Sequence, residues 1–122
     1  MTGWILVIDD DPGTREALAD ILRRAGYQVT SLAGDTAVEG VLSRHRYQAA
    51  VLDYRLPALT GLDVAAYLKR IQPHCRVILI SAELPDAEAA QESGVVDHFL
   101  AKPFSKDAIL EVIAQLCHSG AH

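Results

Sequence analysis

Four runs of apolar residues set the frame of this chain: Ile5-Leu6-Val7-Ile8, Ala49-Ala50-Val51-Leu52, Val77-Ile78-Leu79-Ile80 and Phe99-Leu100-Ala101. A strand with one face in water alternates apolar and polar residues, whereas a strand covered on both faces does not. The continuously apolar strands at 4–8, 49–52 and 77–80 therefore predict a parallel sheet with helices on both sides. Right-handed crossovers then restrict the topology to a doubly wound α/β sandwich. Each run ends in a chemically active side chain. The first ends in Asp9-Asp10-Asp11, the second in Asp53, the third in Ser81 and the fourth in Lys102. Ligands of such sheets bind beyond the carboxyl ends of the strands, at the point where strand order reverses. A strand order of 2-1-3-4-5 puts Asp9, Asp10, Asp53, Ser81 and Lys102 side by side there.

Helix signals fill the gaps between the runs. Asp11-Pro12 reads as an N-cap followed by Pro at the first helical position. Leu18, Ile21, Leu22 and Ala25 repeat at helical spacing and Gly26 is the stop. Gln28 to Leu32 is a more polar strand, expected at a sheet edge. Asp35 is expected to cap a helix carrying Val38, Val41 and Leu42. A third helix carries Val64, Tyr67, Leu68 and Ile71 before Pro73. A short fourth helix is expected from the cap Asp86 to Ser93, with Gly94 behind it. The last helix starts near Ser105 and carries Ile109, Val112, Ile113 and Leu116. No linker or low-complexity tract interrupts the 122 residues, so one domain over 1–122 is expected, with its core at about 4–117.

The net charge of -5 argues against direct binding of nucleic acid. No stretch approaches the roughly 20 apolar residues of a membrane span. Cys75 and Cys117 stand alone, without metal-ligand spacing, and read as free thiols of a reducing compartment.

The clustered carboxylates point to a cation. Three acids brought together repel, so one takes up a proton or a cation is recruited. Hard oxygen ligands favour Mg²⁺. A bound cation would offset the charge of an incoming phosphate. Asp53 is then the candidate nucleophile, since carboxylates form acyl phosphates. Lys102 supplies a point charge for phosphoryl oxygens, and the Ser81 hydroxyl a hydrogen bond. Arg55 and Glu83 follow Asp53 and Ser81 by two residues each. They are expected to form an ion pair over the site that modulates the rate of hydrolysis.

The motifs Ile-Asp-Asp-Asp-Pro at 8–12, Leu-Asp-Tyr-Arg-Leu-Pro at 52–57 with Gly61, Ser81-Ala82, and Lys102-Pro103-Phe104 occur in one order and spacing. In this the chain resembles the receiver domain of two-component response regulators, typified by the single-domain chemotaxis regulator. The resemblance runs from Ile5 to about Leu116. It implies a (βα)5 flavodoxin-like sandwich, phosphorylated on Asp53 by a histidine kinase or phosphotransfer protein. It also implies Mg²⁺ bound directly by Asp10, by Asp9 mainly through water, by Asp53 and by the backbone carbonyl of Arg55. Ser81 and Lys102 would contact the phosphoryl group. Phe99 would be the aromatic switch, without a tyrosine's hydroxyl, and Lys102-Pro103 a cis peptide. The domain would be a cytoplasmic switch acting on itself rather than an enzyme with a diffusing substrate. It would control an output partner or attached domain; a homodimer is compatible with this.

Three other readings use the same residues. A dehalogenase-type phosphatase also forms an aspartyl phosphate, but its motif needs Thr or Val where Gly13 stands. A pseudo-receiver would keep the fold without phosphorylation, although all five site positions carry competent side chains. A flavodoxin-like cofactor protein would need a phosphate-cradling first loop, which Asp9 to Gly13 does not supply.

Overall fold

The computed structural model describes residues 3–118, apart from the side chains of Leu84 and His118. The outer ends of the expected 1–122 domain lie outside the described residues. Strands and helices alternate throughout: β1 (Trp4–Ile8), α1 (Pro12–Arg24), β2 (Gln28–Leu32), α2 (Val38–Arg44), β3 (Tyr47–Asp53), α3 (Gly61–Ile71), β4 (Arg76–Ser81), α4 (Leu84–Ser93), β5 (His98–Ala101) and α5 (Lys106–His118). The strands form one parallel sheet of order 2-1-3-4-5, as the apolar runs predict.

The pleat explains why those runs are unbroken. Successive side chains of a strand point to opposite faces. Ile5, Val7, Val51, Ile78 and Ile80 pack on one face with Leu18 and Leu22 of α1 and Ile109 and Ile113 of α5. Leu6, Ile8, Leu52 and Leu79 pack on the other with Leu42 of α2, Val64 and Leu68 of α3 and Ala90 of α4. All four residues Ile5 to Ile8 are 0% exposed, so neither face of β1 tolerates a polar residue. The edge strand β2 is less covered, with Gln28 and Ser31 exposed and only Val29 buried.

The caps set where each helix starts. Asp11 accepts from the Thr14 amide at 2.9 Å, and Pro12 opens α1. That bond lowers the Asp11 carboxyl below its ordinary pKa. Gly26 (φ 100°) and Gly94 (φ 74°) take the left-handed conformation that ends α1 and α4. Asp35 does not cap α2 with its side chain. The turn closes instead through its backbone carbonyl, which accepts from Val38 N at 3.2 Å, and α2 starts with no side-chain cap. Thr60 and Asp63 form a reciprocal capping box at the start of α3, a pair the hydrophobic spacing does not reveal.

α4 starts three residues earlier than expected, at Leu84 rather than behind Asp86. Pro85 is the reason. A proline is well tolerated in the first turn, where its missing N–H would have no partner anyway. Asp86 therefore lies inside the first turn and is not a cap.

Asp97 joins the end of α4 to the sheet. Its carboxylate accepts from Val77 N at 2.7 Å and Lys69 Nζ at 2.8 Å, with Arg76 Nη1 at 3.5 Å. Burial pushes its pKa up, but the Lys69 and Val77 hydrogen bonds and the two cations outweigh this and hold it below the ordinary carboxylate value. A lowered folded pKa stabilises the fold above the unfolded value, and that contribution is lost as pH falls through the folded one. Asp97→Asn is expected to destabilise the domain by about 2 kcal/mol at pH 7, since hydrogen bonds to a charged group are lost. Urea melts should show that margin over the variant shrinking below about pH 4. A constant difference from pH 7 to pH 3 would mean the charge of Asp97 contributes nothing.

Candidate functional site

The register of the sheet assembles the site. Ile8 pairs with Leu52, Asp53 with Ile80, and Ser81 with Ala101. The next residues along β1 and β5 are Asp9 and Lys102. All five expected site residues thus meet at the carboxyl edge. Asp9, Asp10 and Asp53 each place a carboxylate oxygen within 4.8 Å of the others. Asp9 is 0% exposed and Asp53 5%, while Asp10 is open to solvent.

The buried acids are held by specific donors. Asp9 Oδ1 accepts from the Asp11 amide at 2.9 Å and Oδ2 from Lys102 Nζ at 3.2 Å. Arg15 Nη1 donates to the Asp9 carbonyl at 2.9 Å, which ties α1 to the strand end. Lys102 Nζ also lies 3.4 Å from Asp53 Oδ2, so one ammonium bridges the acids of β1 and β3. Asp53 Oδ1 accepts from the Arg55 amide at 3.3 Å.

One ammonium does not neutralise three carboxylates. Burial and then the Asp9 charge push the Asp53 pKa up, against the opposing pull of Lys102 and the Arg55 amide. A hard divalent cation fits this donor set, because it would relieve the repulsion that raises Asp53.

Ser81 is brought to the site but spends its proton elsewhere. Its hydroxyl donates to Asp86 Oδ2 at 2.6 Å and accepts from the Glu83 amide at 3.1 Å. The expected Arg55–Glu83 ion pair does not form. Arg55 Nη2 reaches Asp86 Oδ1 instead, at 3.3 Å. The early start of α4 is the cause: Glu83 takes the N-cap position, exposed, while the first turn swings Asp86 inward to 4% exposure. The signal that could have found Asp86 was Pro85, which marks a first turn rather than a preceding loop.

Phe99 lies on β5, half-buried against the core shared with α4, beside Ala87, Ala90 and Val96. The Lys102-Pro103 peptide is cis, as the resemblance implies. Arg55 sits in the loop after β3, bridged to Thr60. Among the described residues no helix is long and apolar enough to cross a membrane.

This geometry agrees with comparison to known proteins. The family model for the response regulator receiver domain matches residues 5–114. The transcriptional regulatory protein GlrR of Escherichia coli (strain K12) is 35% identical over 113 residues, which is 89% of this chain but 25% of that protein. Sporulation initiation phosphotransferase F of Bacillus subtilis (strain 168) is 31% identical over 115 residues, 93% of this chain and 92% of that protein. Among solved structures, the response regulator TrrA of Thermotoga maritima, in complex with Mg(2+)-BeF, superposes with a TM-score of 0.83 at 27% identity, covering 95% of this chain and 99% of that one. The chain thus spans about a quarter of GlrR and nearly all of the sporulation protein. With its five parallel strands, its three clustered acids and a family match over most of its length, the chain belongs to the response regulator receiver domains of two-component signalling.

Proposed function

We propose that Asp53 is the phosphoacceptor of this receiver, taking its phosphoryl group from the phosphohistidine of a histidine kinase or phosphotransfer protein. The observation that carries this reading is the position of Asp53: buried at the end of β3, beside two further carboxylates and 3.4 Å from an ammonium. A carboxylate oxygen of Asp53 attacks phosphorus, the N–P bond breaks, and the imidazole nitrogen leaves with the electron pair. Lys102 stabilises the charge on the phosphoryl oxygens. Water later hydrolyses the acyl phosphate, so the domain turns over only its own carboxylate and acts as a switch.

Mg²⁺ is the cation the acids suit. Asp10, exposed and without a hydrogen bond among the described residues, would supply a direct ligand, and Asp53 and the Arg55 carbonyl the others. Asp9 already gives both oxygens to protein donors, which favours contact through water. When bound, the ion offsets phosphoryl charge during transfer. Phe99, between β5 and α4, reports the state of the site to the surface. The output lies in a partner or an attached domain. Free Cys75 and Cys117 fit a cytoplasmic setting.

The direct test is incubation with a small acyl phosphate and Mg²⁺, followed by peptide mapping. One phosphoryl group on Asp53 is expected; a label on another residue would remove Asp53 as acceptor. Mg²⁺ should also raise the melting temperature. At about 100 times its dissociation constant, a ligand of the folded state adds about 2.7 kcal/mol. Asp10→Asn should lose most of that gain and Asp9→Asn less. Coincident melting curves of the parent with and without Mg²⁺ would count against the cation site.

A further inference from the structure

We propose that Asp86 is a positioning residue for the phosphoryl site, holding the Ser81 hydroxyl proton on α4 so that a phosphoryl group on Asp53 must take it away. The inference rests on Asp53 being the acceptor. A serine hydroxyl has one proton to give. Here that proton goes to Asp86 Oδ2 at 2.6 Å, a bond between residues only 2% and 4% exposed. Arg55 Nη2 holds the second oxygen of Asp86 from the β3 side at 3.3 Å. The side chains of Ser81 and Arg55 are therefore both committed to α4.

A phosphoryl group competes with Asp86 for the same donor. When Ser81 turns to the phosphoryl oxygens, its bond to Asp86 is given up, because the proton cannot serve both. Asp86 then keeps Arg55 alone, and the first turn of α4 is released from the end of β4. One proton thereby links the charge on Asp53 to the helix. Two consequences are measurable. In the parent, Ser81 should add little net affinity for a phosphoryl-like ligand, since one charge-assisted bond replaces another. Weakening the Asp86 acceptor should raise that affinity, and only through Ser81.

The experiment titrates beryllofluoride into the full chain at saturating Mg²⁺, followed by the amide resonance of Glu83, whose N–H donates to Ser81 Oγ. Ser81→Ala alone is expected to weaken binding by less than about threefold. The nearly isosteric Asp86→Asn is expected to tighten it about tenfold, because a neutral acceptor holds the proton less well than a carboxylate. Ser81→Ala placed in the Asp86→Asn chain should cancel that gain, an interaction that a purely structural role for Asp86 would not produce. A tenfold loss in Ser81→Ala alone overturns the proposal, even where Asp86→Asn does not fold. So does an affinity in Asp86→Asn equal to the parent's, or a gain that survives without Ser81. A parent that binds no beryllofluoride at all overturns the acceptor reading instead.

Discussion

Asp53→Asn is expected to abolish phosphoryl incorporation and, at neutral pH, to make the folded domain more stable than the parent. The first effect follows from chemistry, because an amide is not a nucleophile toward phosphorus here. The second follows from electrostatics. Burial and the neighbouring Asp9 raise the Asp53 pKa in the folded state. A carboxyl with a raised folded pKa favours the fold fully only below its unfolded value, about pH 3.9. That contribution is lost as pH rises through the folded value, so ionised Asp53 is a liability at pH 7. Asparagine keeps the shape and removes the charge. Thermal melts should therefore place the variant above the parent at pH 7, with the gap closing toward pH 3. Adding Mg²⁺ should reverse the order, because only the parent offers the cation the Asp53 carboxylate beside Asp10. Phosphate incorporation equal to the parent's, or a variant that melts lower at pH 7 without Mg²⁺, contradicts the assignment.

The same physical terms decide what is legible in the sequence. The strands were readable because both faces of β1, β3 and β4 are covered, leaving a signal of four or more apolar residues that nothing local disguises. The site was readable because it is a property of topology. Once strands are parallel, whatever follows each one arrives at the same edge, and Asp9, Asp10, Asp53, Ser81 and Lys102 needed no knowledge of side-chain contacts. Partner choice was not readable in this way. Arg55 could meet Glu83 or Asp86, and which one it meets depends on whether α4 is capped at Glu83 or at Asp86. A cap three residues earlier leaves Glu83 outside the helix and brings Asp86 into its first turn. Asp97 carries no local signal for a similar reason: its partners Lys69 and Val77 come from α3 and β4. Asp11 lay at the other extreme. Its capping bond spans three residues, and a contact so local is written in the sequence itself.

Gly61→Ala is expected to be the most disruptive single methyl in the domain, lowering stability by about 3 kcal/mol, the upper end of overpacking effects. Gly61 opens α3 and is buried against the end of β3. Its amide donates to the Tyr54 carbonyl at 2.8 Å, which clamps the helix start to the loop leaving Asp53. A Cβ there would lie 2.5 Å from the backbone oxygen of Asp53, 2.7 Å from Leu79 Cδ1 and 3.0 Å from the Cα of Tyr54. Leu79 could turn aside, at some loss of packing. The two backbone atoms cannot, so either α3 backs away or the end of β3 shifts. Both routes move Asp53, whose carboxylate is placed by that same stretch of backbone. Melting temperature should fall by roughly 9–15 °C, given the entropy of unfolding of a domain of this size. Labelling by an acyl phosphate, measured well below the melt, should slow by at least about tenfold, since sub-ångström placement governs such reactions. Gly40→Ala is the matched control. A Cβ at Gly40 meets nothing within 4 Å, and the position lies inside α2. Alanine there should stabilise the domain by roughly 0.5–1 kcal/mol and leave labelling unchanged. A Gly61→Ala chain that melts and labels like the parent would mean that the close approach of α3 to Asp53 does not position the acceptor.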